Sequence, residues 1–268
     1  MLKNITIGQF FPGNSIIHRM DPRTKLILVF LFVVGIFLVK SFIGYVMIGA
    51  YIFFAIAICK IPFKYMLKGL KPIFIIVLFT LVLNILMTPG ENLLWSWRRI
   101  TIYEEGVRMG VYFAVRLILL VLGSQILTLT TSPLALTDGL ETLFKPLQKI
   151  GMPVHELAMM MTIALRFIPT LLNETDKIMK AQMSRGADFE SGNLVSRAKS
   201  LVPVMVPLFI SAFRRADDLA LAMEARCYRG GEGRTRMKKL TFTGADVITT
   251  LVFILFVASV TVVQKLVG

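Results

Sequence analysis

Five long apolar segments, separated by shorter polar stretches, constrain the fold of this chain more than any other feature. They span residues 26–39, 42–58, 72–88, 111–131 and 245–263. A helix needs about 20 apolar residues to cross a hydrocarbon core about 30 Å thick. The first two segments are shorter, but Lys25, Lys40 and Lys60 at their ends can snorkel and extend their reach. The sequence therefore predicts an all-α integral membrane protein with about five transmembrane helices.

Two features of these segments leave alternatives open. Residues 26–58 form either two short spans or one long helix with a partial second one, and Ser41 and Gly44 favour a turn between two spans. Arg116 lies inside the fourth segment. It is either a functional group that faces protein or water, or a residue that shares a helix face with Arg108 near the outer head groups.

The distribution of charge predicts how the chain is oriented. The 268 residues are 56% hydrophobic and carry 30 Lys and Arg against 16 Asp and Glu. Nucleic-acid binding would place such charge on a soluble scaffold, whereas an excess of positive residues on the inner side of a membrane explains it directly. A cytoplasmic N-terminus puts Lys60, Lys64, Lys68 and Lys71 inside, together with every basic residue of 132–244. We predict a cytoplasmic N-terminus, an external C-terminus and no nucleic-acid partner.

The charged stretch between the fourth and fifth segments predicts a cytoplasmic domain of three long helices. These helices cover about residues 133–150, 153–183 and 194–225. Pro203 and Pro207 remove backbone donors from the third helix and are expected to bend it. The predicted organisation is a membrane domain of four spans (1–131), the cytoplasmic domain (132–244) and a C-terminal transmembrane helix (245–268).

The second and third of these helices end in similar tripeptides. One ends in Ser184-Arg185-Gly186 and the other in Ala225-Arg226-Cys227, so that each arginine lies between two small residues. An arginine in the last turn complements the negative end of the helix dipole, and a glycine after it suits a left-handed cap. Alternatively, an arginine between small residues can enter an acidic groove of a partner without steric hindrance.

With these tripeptides, the chain resembles the transmembrane (T) component of energy-coupling factor transporters, which form the vitamin-uptake branch of the ABC transporters. This is the EcfT family, which includes CbiQ-like members. Two short Ala-Arg-Gly-type motifs at the ends of cytoplasmic coupling helices mark this family. The residues after Cys227, including Gly233-Arg234-Thr235-Arg236, extend the resemblance. Ser184 and Cys227 depart from the motif but are small, and Cys227 leaves open whether the second helix ends in the same left-handed cap.

The resemblance implies a non-catalytic energy-coupling subunit of an ATP-driven vitamin or micronutrient importer in a bacterial cell membrane. Arg185 and Arg226, with their flanking residues, would dock into two ATPase subunits, which use the ATP and Mg²⁺; this chain would bind no cofactor itself. A separate substrate-binding membrane subunit would contact apolar faces of the coupling helices. We assign Met160, Met161, Phe167, Met205, Leu208 and Phe209 to that interface. The alternative for the methionines is that they fill a helical core.

Rival functions find less support in the sequence. An enzyme is not predicted, because there is no P-loop and because His18 and His155 are isolated. We interpret His155 as an ordinary surface residue, and we predict no catalytic and no metal-binding residue. A channel would need polar residues lining several spans. A membrane anchor that recruits cytoplasmic partners without transport remains the alternative. The sequence does not identify the vitamin.

Overall fold

The part of the chain that the structure describes folds into α-helices and one small hairpin. The computed structural model describes residues 10–39, 41–97, 100–189, 191, 193–231 and 240–267. Within these ranges the helices are α1 (Ile16–Arg19), α2 (Pro22–Leu38), α3 (Phe42–Cys59), α4 (Phe63–Met87), α5 (Glu104–Thr130), α6 (Pro133–Phe144), α7 (Val154–Ser184), α8 (Leu194–Ala225) and α9 (Gly244–Val267). A 3-10 segment, Lys145–Ile150, follows α6. The predicted all-α class is confirmed. Lys40 and the run from Gly233 to Arg236 lie outside the described residues.

The described residues belong to two compact units. The bundle unit comprises those within Gly8–Gly139 and Lys239–Gly268, and the long-helix unit those within Leu140–Lys238. The boundary between the units at 139–140 lies a few residues inside the predicted 132–244 domain. The assignment of that domain to the cytoplasm stays a prediction.

Five helices among the described residues are long and apolar enough to cross a membrane. They are Phe42–Cys59, Phe63–Met87, Glu104–Thr130, Val154–Ser184 and Gly244–Gln264. Four of them enclose the predicted segments from 42–58 onward, to within one residue at their C-terminal ends. The predicted segment 26–39 coincides with α2, which has only 17 residues and is not among these five helices. The fifth candidate span is α7, which is the least apolar of the five.

Helix α3 lies at the centre of the bundle unit. Its buried residues Tyr45, Ile48, Ile52 and Ile56 recur every three or four positions, which is the spacing of one helix face. This face packs with residues of α2, α5 and α9 in one apolar core. The outward faces of the same helices expose large apolar side chains, as expected of helices that face lipid.

Helices α4 and α5 approach each other closely because glycines line their contact. A Cβ atom on Gly106 would lie 3.1 Å from the carbonyl oxygen of Asn84, and one on Gly110 would lie 3.2 Å from that of Leu81. Small residues four positions apart allow such backbone contact between membrane helices. The connection from α4 to α5 is an antiparallel hairpin of β1 (Leu93–Trp97) and β2 (Ile100–Tyr103), which the sequence analysis did not predict.

Arg116 of α5 stabilises the break between α2 and α3. Its Nε donates to Tyr45 Oη at 2.8 Å, and its Nη2 donates to the carbonyl oxygen of Val39 at 3.2 Å. Tyr45 Oη donates to the same carbonyl at 2.9 Å. Arg116 therefore satisfies a carbonyl left free where α2 ends. Residues 26–58 contain two helices with a break between them, so the alternative of one long helix with a partial second one is wrong. That both helices span the membrane stays a prediction.

Candidate coupling site

The end of α7 is closed by a pair of backbone hydrogen bonds. The N–H of Ala187 donates to Gln182 O at 3.0 Å, and the N–H of Gly186 donates to Met183 O at 3.0 Å. Gly186 has φ +88°, in the left-handed region. This combination is a Schellman cap, in which Arg185 is the last residue before the left-handed one. The predicted left-handed cap at Gly186 is confirmed.

The end of α8 repeats the same pattern. The N–H of Tyr228 donates to Met223 O at 3.0 Å, and the N–H of Cys227 donates to Glu224 O at 2.8 Å. Cys227 has φ +55°, a conformation that costs a residue with a Cβ atom about 1–2 kcal/mol. Arg226 therefore holds the same position in its cap as Arg185 does in α7. The question that Cys227 left open is answered: both helices end in a left-handed cap.

Both arginines are exposed and available to a partner. The residues that flank them, Ser184, Gly186, Ala225 and Cys227, are exposed as well. Within the part of the chain that the structure describes, neither guanidinium lies within 4.0 Å of a carboxylate oxygen. Neither side chain bonds a carbonyl of its own helix there, since the caps use backbone N–H groups. The caps thus form without the arginine side chains, which weakens the interpretation of these residues as capping arginines.

Helices α7 and α8 pair in antiparallel fashion. Glu174 accepts hydrogen bonds from Ser211 Oγ at 2.6 Å and from Arg215 Nη2 at 3.1 Å. Eight residues further along α7, Gln182 Nε2 donates to Pro203 O at 3.4 Å. In a regular α-helix the carbonyl oxygen of Pro203 would accept a hydrogen bond from the N–H of the residue four positions later. That residue is Pro207, which has no N–H. Gln182 supplies the missing donor, and α8 continues through both prolines.

The two tripeptides lie toward opposite ends of this helix pair. Arg185 is three residues beyond Gln182, next to the level of Pro203. Arg226 lies 23 residues after Pro203 at the far end of α8, which corresponds to about 35 Å along the helix. The chain therefore presents two equivalent arginines at widely separated points of one rigid element.

An apolar face of α8 is exposed in the isolated chain. Its residues recur at intervals of three and four: Val202, Met205, Val206, Phe209, Ile210 and Phe213. Of the six residues assigned to a substrate-subunit interface, Met160, Met161, Met205 and Phe209 are exposed, and Phe167 and Leu208 are half-buried. The alternative that these three methionines fill a core is wrong for this chain. Which partner covers them stays a prediction.

His155 is not an ordinary surface residue. Its Nδ1 lies 2.9 Å from Glu141 Oε1 of α6, and its side chain is mostly buried. A Cβ atom on Gly231 would lie 2.6 Å from the His155 ring, so the segment after α8 packs on it directly. His155 thus joins α6 to the segment that follows Arg226, at the first turn of α7. The surface interpretation of this histidine was wrong.

Lys25 forms the centre of a buried polar cluster in the bundle unit. Only 5% of the residue is exposed. Its Nζ donates to Thr130 O at 3.0 Å, to Thr131 Oγ1 at 3.2 Å and to His18 O at 3.3 Å. The expectation that Lys25 snorkels toward the interface is wrong, because these inward acceptors satisfy all three of its N–H donors.

Asp246 completes this cluster, and the residue is 1% exposed. Its Oδ1 accepts the N–H of Asp21 at 2.9 Å, and its Oδ2 accepts the N–H of Thr243 at 2.8 Å. Arg23 Nη2 donates to Leu240 O at 3.2 Å. The polar cluster thus fixes the end of α5 and the segment just before α9 within the bundle unit.

Sequence signals for part of this cluster exist. Asp21 before Pro22 matches an N-cap followed by proline at the first helical position. Thr243 and Asp246 have the spacing of a capping box. These local signals identify the helix starts, but not the bond from Asp246 to a residue 225 positions away.

The fold and these sites define a multi-pass membrane protein in which two paired long helices end in matched, exposed arginines. The chain matches the CbiQ family, described as cobalt transport protein, over residues 13–237. The energy-coupling factor transporter transmembrane protein EcfT of Clostridium kluyveri is 60% identical over 252 residues, which cover 94% of this chain and 93% of that protein. EcfT of Acidaminococcus fermentans is 57% identical over 254 residues, covering 95% and 94%. EcfT of Bacillus subtilis is 51% identical over 254 residues, covering 94% and 96%.

Each alignment covers nearly all of both proteins, and the family match spans both units described above. The chain therefore belongs to the EcfT family, the energy-coupling transmembrane components of energy-coupling factor transporters. The resemblance on which the sequence analysis relied is confirmed, and with it a non-catalytic role as a transporter component.

Proposed function

We propose that this chain couples ATP hydrolysis in two partner ATPase subunits to a separate substrate-binding membrane subunit, in an importer of a vitamin or another micronutrient. The observation that carries the proposal is the pair of matched caps at opposite ends of the α7–α8 pair, each with an exposed arginine. Two equivalent docking elements suit two similar subunits, one for each arginine. A planar guanidinium between small residues can form a bidentate, charge-assisted bond to a carboxylate in a groove.

The remaining parts of the proposal follow from charge and exposure. The exposed apolar face of α8, with Met160 and Met161 of α7, is a surface of the kind that a membrane subunit would cover. The positive-inside rule supports a cytoplasmic N-terminus and long-helix unit and an external C-terminus. The chain would bind no nucleotide itself, since ATP and Mg²⁺ would belong to the ATPases. The identity of the micronutrient would then reside in the substrate-binding subunit.

Charge reversal at the two arginines tests the proposal. The chain is co-expressed with the ATPase subunits of the same genome, as wild type, Arg185→Glu, Arg226→Glu and the double variant. Each single reversal is expected to weaken ATPase co-purification, because a desolvated pair is worth about 2–5 kcal/mol, and the double variant is expected to lose the ATPases. The matched control, Lys177→Glu with Arg214→Glu, reverses two exposed charges on the same helices away from the caps.

The outcomes separate the proposal from the anchor alternative. Retention of the ATPases by the folded double variant would refute docking through these arginines. Normal ATPase binding without ATP-driven uptake in proteoliposomes that contain the complete complex would instead favour a membrane anchor.

A further inference from the structure

Three lysines form a row on the first two turns of α4. Lys64, Lys68 and Lys71 are spaced four and three residues apart, which places them on one helix face, and all three are exposed. Lys60 lies just before them, in the left-handed position that ends α3. The row extends over eight residues, whose first and last Cα atoms are about 10 Å apart along the helix.

The lysines of the row form no ion pair among the described residues. The sequence contains no Asp or Glu between Asp21 and Glu91. Among the described residues, no carboxylate oxygen lies within 4.0 Å of the Nζ of any lysine in the row. The contact that Lys68 does make is with the ring of Tyr65, at 5.8 Å from its centroid. A partner that covers this face must therefore bring negative charge.

The same face becomes apolar where the lysines end. Ile75, four residues after Lys71, is 73% exposed, and Phe79 is 61% exposed. The opposite side of α4 is packed against the bundle, where Met66 is completely buried and a Cβ atom on Gly69 would overlap Gln125 of α5. The lysine row and the apolar surface beyond it are thus one continuous outward face.

We propose that this face of α4 binds anionic phospholipid, with the head groups on Lys64, Lys68 and Lys71 and the acyl chains along the apolar surface that begins at Ile75. An anionic lipid matches both halves of the face, because its charge and its hydrocarbon follow each other along the membrane normal. The head-group layer of one leaflet is about 5–8 Å thick, and lysine side chains extend their charge by snorkelling. An acidic protein surface would match the lysines but not the apolar continuation.

The test measures lipid binding to the purified full chain by native mass spectrometry in detergent. Dioleoyl phosphatidylglycerol and dioleoyl phosphatidylcholine are titrated separately. A lysine near anionic head groups contributes about a fivefold preference. The variant Lys64→Gln, Lys68→Gln, Lys71→Gln is therefore expected to lose phosphatidylglycerol affinity by about tenfold or more, with phosphatidylcholine binding unchanged. The preference of the wild type is expected to fall as NaCl is raised, because salt screens exposed charges.

Two further variants keep the result interpretable. Arginine at all three positions retains the charge and is expected to retain phosphatidylglycerol binding. The matched control Lys177→Gln, Lys180→Gln, Arg214→Gln removes the same charge from exposed positions of the long-helix unit and is expected to leave lipid binding unchanged. Equal phosphatidylglycerol affinity of the glutamine variant and the wild type would overturn the proposal. Loss of ATPase co-purification in that variant, without a change in lipid binding, would assign the row to a protein partner and would also overturn it.

Discussion

Replacing Lys25 by methionine is expected to lower the free energy of unfolding of the bundle unit by about 3–5 kcal/mol, the usual cost of removing one partner from a buried charged group. The side chain of methionine is apolar and similar in length, so little packing is lost. The change removes three hydrogen bonds, to His18, Thr130 and Thr131. It also removes the positive charge that interacts with the buried carboxylates of Asp246 and Asp21.

The burial of both aspartates makes the cost large. Asp246 keeps its two backbone donors in the variant, but Asp21 Oδ2 has no hydrogen-bond partner among the described residues even in the wild type. Arg23 Nε lies 3.6 Å from Asp21 Oδ1 and remains in the variant, so Asp246 is the carboxylate that is left without a compensating charge. A buried carboxylate in that position pays most of its desolvation penalty. Substituting Asp246→Asn in the Lys25→Met background removes one stranded charge. The double-mutant cycle is therefore expected to give a coupling free energy of about 1–3 kcal/mol.

The assay is reversible unfolding in mixed detergent micelles with increasing SDS, followed by far-ultraviolet circular dichroism. Lys64→Met is the matched control, since it makes the same substitution at an exposed lysine and is expected to change stability by no more than about 0.5 kcal/mol. A loss of less than about 1 kcal/mol for Lys25→Met, or purely additive effects of the two substitutions in the cycle, would refute the account of this cluster.

The remaining predictions concern the helix caps and one histidine. Cys227→Gly is expected to raise the stability of the long-helix unit by about 1 kcal/mol, because glycine adopts φ +55° without strain; an unchanged or lower thermal midpoint would contradict this. Gly186→Ala, at φ +88°, is expected to lower stability by about 1–2 kcal/mol. The control Gly244→Ala also has open space for the added Cβ atom and is not expected to lower stability. Equal effects of the two substitutions would count against the left-handed cap. Burial lowers the pKa of His18 below 6.5, the nearby Lys25 adds to this, and a hydrogen bond to a backbone carbonyl opposes it. The unfolded state therefore binds a proton at His18 more readily than the folded state does. The contribution of neutral His18 to the free energy of unfolding is fully present above pH 6.5 and is lost as the pH falls through the pKa of the folded state. His18→Gln is expected to flatten the unfolding free energy between about pH 7 and pH 5, and an unaltered pH profile would disprove this assignment.

The helix ends of the candidate site were predictable because their signals are local. Small residues around Arg185 and Arg226, after long amphipathic stretches, predict where α7 and α8 stop. The structure adds that Cys227 accepts a left-handed conformation that its side chain disfavours. No sequence rule predicts that outcome. It follows from closing a Schellman cap at a position where glycine is the usual residue.

The start of α4 was missed for a different reason. A search for apolar residues begins this span at Pro72, but the helix begins at Phe63 and passes through that proline. Its first turns carry lysines and therefore fail any test of apolar composition, although they are helical and form the outward face described above. The hairpin after α4 was not predicted from the sequence either, although Ile100–Tyr103 contains β-branched residues.

Lys25 and Arg116 show what the sequence could not decide. Both are basic residues at the edge of or inside an apolar segment, and the general expectation for them is to snorkel or to serve a function. Their partners are backbone carbonyls made free by helix ends at Thr130 and Val39. Those ends come together only in the folded bundle. The position of each buried cation is thus determined by tertiary contacts with residues far away in the sequence. Lys25 and Thr130 are 105 positions apart, and Arg116 and Val39 are 77 positions apart.

A subunit that couples its partners needs stiffness along its chain more than it needs a reactive group. Apolar contacts are non-directional and allow helices to slide, whereas buried hydrogen bonds to Lys25 and Asp246 fix the register of the segments they hold. The buried lysine therefore fixes the end of α5, and the buried aspartate fixes the start of α9, within the bundle unit.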